Sequence, residues 1–423
     1  MAAARSANDK VILALIGAGG RGTGVILSMK EHVPNIEVKY VCEVDDTRGG
    51  RAIEELFKVQ GKRPERIKDF RYALDDIDVD AVVICTPEHW HGLATIWACL
   101  SGKDVYVEKN ISMGIGEGRA MVEMAKKYSR VVQCGTQNRS ALYNQRAKEY
   151  ISSGKLGNIV QVKCYCMLPG DMSWKLKEDS QVPQGLDWNM WLGPAPKVSY
   201  NISRHKAWAD WWAYSGGSAL AGDASHILDL ARMVIGDPSH PTAVHCIGGR
   251  TLHDDNRDVP DIQSITYDYG SFPMSCISSK FGNYLTKTDP KIRYGKGFPE
   301  WRFNATKIEV YGTEGIMYLG RHGGGWQVFG GDGEILSEES GMFPDIEHQN
   351  NFINAVRDRT KPHADVTEGH KSATLVHLAN LSYRLGNRRL SFDAVTEKFV
   401  NDNEANELAK VHYRKGFETT TKK

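Results

Sequence analysis

Three groups of residues have the types and spacing that chemistry needs. Gly17-Ala18-Gly19-Gly20-Arg21-Gly22 is a GxGxxG run placed directly after an apolar segment, and Glu43 follows 21 positions beyond Gly22 (43 minus 22). In such a run the first glycine permits the tight turn, the second lets backbone N–H groups approach a pyrophosphate, and the third lets a helix pack closely with its positive end toward the anion. An acid at the end of the next strand accepts hydrogen bonds from the adenosine ribose and repels a 2′-phosphate. NAD is therefore the expected cofactor, with Arg48 and Arg51 leaving NADP as the less favoured choice. Lys109, at the end of an apolar run, and His226, on a helix-like segment, form the second group, because a histidine or a desolvated lysine can be tuned near neutral pH to take a proton. Asp223 and Asp229 each stand three residues from His226, where either could fix its tautomer. The plainer alternatives are a structural glycine turn, an exposed lysine at a strand end and a buried histidine satisfied by a carboxylate. The third group is aromatic: Trp208, Trp211 and Trp212, with Arg204 and His205, offer faces for a sugar ring or the filling of a core between domains.

The elements that must position these residues are legible as periodicity. Apolar runs at Val11 to Ile16, Val38 to Val44, Asp80 to Pro87, Asp104 to Lys109 and Val131 to Gln137 alternate with helix-like segments such as Gly114 to Lys127. That alternation predicts a parallel sheet covered on both faces, with Lys109 at the carboxyl edge where ligands bind. A helix containing Ala147 to Ser153 and a strand from Asn158 to Leu168 come next. The stretch Trp188 to Trp212 is expected to be irregular. Strands are expected at Thr242 to Gly248, Gln263 to Tyr269, Met274 to Phe281, Lys307 to Leu319 and Trp326 to Gly330, followed by helices around His348 to Arg357 and Gly369 to Leu385. Successive strands without helices between them favour an antiparallel sheet. The expected fold class is α/β, with a dinucleotide-binding domain over 1–137 and a second domain over 138–423, one late helix of which could pack back on the first.

Composition excludes several classes. With 53 Lys and Arg against 52 Asp and Glu, the net charge of +1 gives no field for polyanions, so no nucleic-acid partner is expected. No run approaches the roughly 20 apolar residues needed to span a bilayer, so no membrane partner is expected. The eight cysteines show no CxxC pair and read as small buried hydrophobes. His89 and His91 alternate without a third ligand, so no metal is expected. The segment Met1 to Lys10 lacks an apolar core, though its alanines resemble the tail of a leader. The expected compartment is the cytoplasm, or the periplasm if a leader has been removed.

Thr86-Pro87-Glu88-His89-Trp90-His91, then Gly102 to Lys109, Gly135-Thr136-Gln137, Gly185 to Pro196, and Gly216-Gly217 leading to His226-Ile227-Leu228-Asp229-Leu230-Ala231-Arg232 resemble, in order, the landmarks of the Gfo/Idh/MocA oxidoreductases. The resemblance implies a Rossmann domain joined to an α/β domain with an open, mainly antiparallel sheet, through which members usually assemble as homodimers or homotetramers. It implies NAD(P) on the first domain and a small-molecule sugar, polyol or glycoside between the two. By motif position the catalytic residues become Lys109, His226 and Asp223, the last three rather than four residues ahead of the histidine. Cofactor contacts are expected from Gly17, Gly19, Gly20, Arg21, Gly22, Glu43, Thr86, Pro87, His91, Glu108, Lys109 and Gln137, and substrate contacts from Lys109, Arg204, His205, Trp211, Asp223 and His226. The family's Glu-Lys-Pro is Glu108-Lys109-Asn110 here. The expected function is NAD-dependent oxidation of a secondary alcohol. The alternatives are a redox-neutral glycosidase working through a transient 3-keto sugar, with His89 or His205 as acid, and a non-catalytic cofactor-binding regulator.

Overall fold

Short runs of Val, Ile, Leu and Ala without polar alternation suit strands buried on both faces, and the centre of the N-terminal sheet is built from them. A computed structural model describes residues 10–170, 175–252 and 254–418; most of the leader-like start lies outside the described residues. Strands β1 (Val11–Ile16), β2 (Ile36–Cys42), β3 (Glu65–Ile67), β4 (Ala81–Ile84), β5 (Asp104–Val107) and β6 (Val132–Cys134) form a parallel sheet in the order β3-β2-β1-β4-β5-β6. The order reverses between β1 and β4, so their carboxyl ends splay a crevice open there. Leu13, Leu15 and Ile26 of this core are fully buried, each contributing about 1.5–3 kcal/mol. The helix Asp345–Asp358 buries Phe352, Ile353 and Val356 in the same core. A C-terminal element thus covers the N-terminal sheet.

The second sheet has ten strands. They are β7 (Ile159–Met167), β8 (Ala243–Gly249), β9 (Ile262–Asp268), β10 (Pro273–Ser279), β11 (Lys307–Gly312), β12 (Ile316–Gly320), β13 (Trp326–Phe329), β14 (Ile335–Glu339), β15 (Leu390–Asp393) and β16 (Lys398–Phe399). Their order is β14-β13-β12-β11-β7-β10-β9-β8-β15-β16, antiparallel except where β7 lies beside β10. Helices Leu142–Ser152, Ser225–Val234 and Val366–Arg384 pack Ala147, Ile227, Leu230, Leu375 and Leu378 on one face, against Val162, Cys164 and Ile308. Lys163, Tyr165 and Tyr311 point to the other face and stay partly exposed. His226 therefore rides on a helix seated on the sheet.

Three expectations change. The single strand expected over Lys307 to Leu319 is a hairpin, because the chain turns at Gly312-Thr313-Glu314-Gly315, with the Gly312 N–H donating to the Gly315 carbonyl. The Trp-rich stretch is more regular than expected: helices Trp188–Leu192 and Ile202–Lys206 are capped by the Asp187 and Asn201 side chains. Strands β3, β14, β15 and β16 lie at or near sheet edges, where short, charged sequence leaves little apolar alternation to read. Among the described residues no helix is long and apolar enough to cross a membrane.

Candidate active site

At the crevice the chain turns on Gly17, whose φ of +90° is left-handed and whose absent Cβ leaves room for the Thr86 N–H. Gly22 faces the Gly17 carbonyl so closely that a Cβ would sit 2.0 Å from that oxygen. Gly20, by contrast, has nothing within 4 Å of its Cβ position and begins the helix Gly20–His32 with open space before it. This cradle borders a cavity of about 290 Å³ lined by Gly17, Gly19, Gly20, Arg21, Glu43, Thr86, Pro87, His91, Glu108 and Lys109, with Trp191, His205 and Trp208 among the residues opposite. The Thr86 hydroxyl is buried there without a partner. Open backbone donors at a helix start, an acid and an unspent hydroxyl fit a dinucleotide: the N–H groups of Gly19, Gly20 and Arg21 would take the pyrophosphate, and Glu43 the ribose. Glu43 accepts from the Ala18 N–H (2.8 Å) and the Asp45 N–H (3.1 Å), so it also braces the turn; burial raises its pKa, against the pull of those N–H groups.

Lys109 lies two residues beyond β5. Its amine donates to the carbonyls of Gly222 (3.1 Å) and Ala221 (3.4 Å), in the π-helical turn Leu220–Ala224 that leads into the His226 helix. The Lys109–Asn110 peptide is cis. Glu108 accepts from Arg21 Nε at 2.8 Å; burial opposes its charge, but Arg21 and Lys109 hold its carboxyl below the usual range. His91 spans the carbonyls of Thr86 and Asn110, at 2.8 Å each, and ties the end of β4 to the Lys109 loop. A neutral imidazole can donate to only one of them. Gln137 is buried off the cavity wall, its Nε2 3.4 Å from the Tyr106 hydroxyl.

His226 is buried, with Nδ1 unpartnered. Burial first, then the charges of Arg321 and Lys109, push its pKa well below the ordinary histidine value. Neither aspartate holds its ring. Asp229 accepts from Arg139 Nε (2.9 Å to each oxygen) and Ser372 Oγ (2.7 Å), while Asp223 pairs with Lys287 at 2.5 Å. Spacing of three places one aspartate a turn before the histidine and one a turn after it, but Asp229 turns inward to a buried cation, and Asp223 sits in the π turn, where Gly222 leaves helical geometry at ψ −113°. His226 and Asp223 are joined to the cofactor cavity through Lys109 rather than lining it.

The aromatic group divides. Trp211 is buried among Trp188, Trp191, Tyr200 and Tyr214, and Arg204 stacks on its ring at 5.3 Å, so Trp211 is core. Trp208 and His205 border the cavity. His89 donates through Nε2 to the Trp191 carbonyl (2.9 Å); burial brings both His89 and His205 down to about 4, with Arg48 adding to the effect at His205. Sequence reasoning missed Lys287, Arg321 and His322, which surround Asp223 at 2.5, 3.8 and 3.6 Å. They come from loops far along the chain, and only their charge could have marked them. Away from the cleft, His240, His370 and Arg119 all engage Glu397, pinning the hairpin of β15 and β16 to two helices.

Residues 11–136 match the sequence model of an oxidoreductase family with an NAD-binding Rossmann fold, and residues 144–276 and 312–419 match that of the family's C-terminal alpha/beta domain. The chain belongs to the Gfo/Idh/MocA oxidoreductase family. Among curated relatives, the levoglucosan dehydrogenase of Pseudarthrobacter phenanthrenivorans is 26% identical over 42% of this chain and 38% of its own length. The NAD(+)-dependent scyllo-inositol 2-dehydrogenase of Bacillus subtilis is 32% identical over 36% and 44%. The chain thus matches less than half the length of each. Levoglucosan dehydrogenase solved with NADH and levoglucosan superposes with a TM-score of 0.64 at 20% identity, covering 93% of this chain and 99% of that one. At that identity it shows the fold, which is the Gfo/Idh/MocA fold expected.

Proposed function

We propose that the protein transfers a hydride between NAD and a secondary alcohol of a sugar, cyclitol or glycoside, with Lys109 positioning the hydroxyl and His226 taking its proton. One observation carries this reading: the lysine at the cofactor cavity donates to the Ala221 and Gly222 carbonyls, bringing it to the turn from which the His226 helix starts. When bound, NAD supplies the hydride acceptor. An ammonium has three donors, and two are spent on these carbonyls, leaving one for a substrate oxygen. Burial and neighbouring cations keep His226 neutral at pH 7, the state that can accept a proton. Asp223 acts through its neighbours, gathering Lys287, Arg321 and His322 beside the histidine. The relatives oxidising levoglucosan and scyllo-inositol support a cyclic polyol as substrate class.

Lys109→Ala and His226→Ala should each cut turnover by about 10²–10⁴-fold while leaving NAD binding nearly intact. Full activity in both variants would sink the assignment, whereas a wild type that binds NAD but turns over no sugar, cyclitol or glycoside would favour a non-catalytic, cofactor-binding protein. A second reading has its own support: the alpha-N-acetylgalactosaminidase of Shewanella oneidensis is 27% identical over 28% of this chain. A redox-neutral cleavage needs a general acid at the leaving group, and His89 and His205, at about 4, are neutral near pH 7. Aglycone release without net NADH would nevertheless establish that reading.

A further inference from the structure

Arg321 directly follows β12 and is only 4% exposed. Its Nε and Nη1 are buried without a hydrogen-bond partner, and Nη2 has only a 3.8 Å ion pair to Asp223. Asp223 is already committed to Lys287 at 2.5 Å. Arg293 lies over the same phenyl ring as Arg321, Phe343, at 4.6 Å against 5.0 Å, and its Nε is also buried and unpartnered. The nearby acids Glu108 and Asp345 are engaged by Arg21. A guanidinium stays charged and presents a planar fork of five donors, so burying it with that fork unspent is unfavourable unless an anion completes it. The fork also stands next to the proposed chemistry. Asp223, its ion-pair partner, adjoins Gly222, whose carbonyl takes the Lys109 amine, and His226 lies three residues further on.

We propose that Arg321, with Arg293 beside it, is the socket for an oxyanion carried by the substrate, so that the sugar this protein takes is acidic, bearing a carboxylate or a phosphate. The planar fork matches either group bidentately and would fix which carbinol faces Lys109 and His226. This inference rests on the reading of the cleft as a sugar-oxidising site and names its substrate class.

The test is calorimetric titration of the NAD-loaded full-length protein with D-glucuronate, D-glucose 6-phosphate and D-glucose, in the wild type and in Arg321→Met and Arg321→Lys. At least one acidic probe should bind about 10- to 100-fold more tightly than glucose, the value of charge-assisted hydrogen bonds at a buried site. Which acid binds distinguishes carboxylate from phosphate. Arg321→Met should erase the preference with NAD affinity unchanged, and Arg321→Lys, which keeps charge without the fork, should weaken it severalfold. If Arg321→Met no longer binds NAD, Arg321→Lys decides. Glucose binding as tightly as both acids, no measurable binding of either acid, or undiminished preference in the decisive variant overturns the proposal. Binding does not require turnover: an acid held through Arg321 but never oxidised would retire the oxidoreductase reading alone. An acidic sugar oxidised by Arg321→Met at the wild-type KM would retire this one alone.

Discussion

Replacing Gly22 with alanine asks whether the glycine turn is shaped for a cofactor. The added methyl would lie 2.0 Å from the Gly17 carbonyl oxygen and 3.0 Å from Cys85 Cβ, and the first of these is backbone that cannot swing aside. To reach even 3.0 Å, the start of the helix Gly20–His32 must move about 1 Å off the sheet (3.0 minus 2.0). Overpacking of this kind costs about 1–3 kcal/mol, more than the fraction of a kcal/mol that alanine returns in the first helical turn. The same shift carries the N–H groups of Gly19 to Arg21 away from a pyrophosphate, and losing one charge-assisted hydrogen bond weakens NAD binding by about tenfold or more. Gly24, two residues on in the same helix, is the control. Nothing lies within 4 Å of its Cβ position, so Gly24→Ala should stabilise by up to about 1 kcal/mol and leave NAD binding untouched. Urea unfolding followed by tryptophan fluorescence, with NAD titration of each variant, separates the two. Equal stability and equal NAD affinity for Gly22→Ala and Gly24→Ala would refute the reasoning.

Other predictions follow from single sites. Glu117 is buried beneath Gly92, accepting from the Met113 N–H and the Tyr413 hydroxyl, and burial raises its pKa to about 7. Because the folded value lies above the unfolded one, the native state favours the protonated acid; stability falls as pH rises from about 4.5 to about 7, by about 3 kcal/mol in all. Glu117→Gln should therefore be close to neutral at pH 4 and increasingly more stable than the wild type up to pH 8, measured by unfolding across that range. The Arg139–Asp229 pair is almost wholly buried, so Arg139→Met should cost about 3–5 kcal/mol, and adding Asp229→Leu should recover much of it in a double-mutant cycle. Glu43→Ser should raise the KM for NAD and narrow the preference over NADP, read from initial rates with each cofactor. An unchanged preference would remove Glu43 from the ribose contact.

What the sequence revealed was local. The glycine turn and the site of Lys109 follow from runs whose order is strand, turn, helix, so the sequence alone places both at the carboxyl edge of the sheet, and the cavity lies there. The partners of His226 were not legible. Spacing of three says which side of a helix a carboxylate leaves from, but not that Arg139, 90 residues earlier, waits inside for Asp229. Trp211 looked as available as Trp208; only packing against Trp188 and Tyr214 makes one core and leaves the other on the cavity wall. Lys287, Arg321 and His322 reach Asp223 across the ten-stranded sheet, a pairing that no local periodicity encodes.

The most direct test of the central claim joins two readings on one preparation: mass spectrometry of the purified, denatured protein for retained cofactor, and NADH absorbance with a panel of monosaccharides, sugar acids, inositols and glycosides. The account predicts net NADH from at least one cyclic polyol, abolished in Lys109→Ala and His226→Ala. Tightly retained NAD with aglycone release and no net NADH, or NADH formation undiminished in both variants, would contradict it.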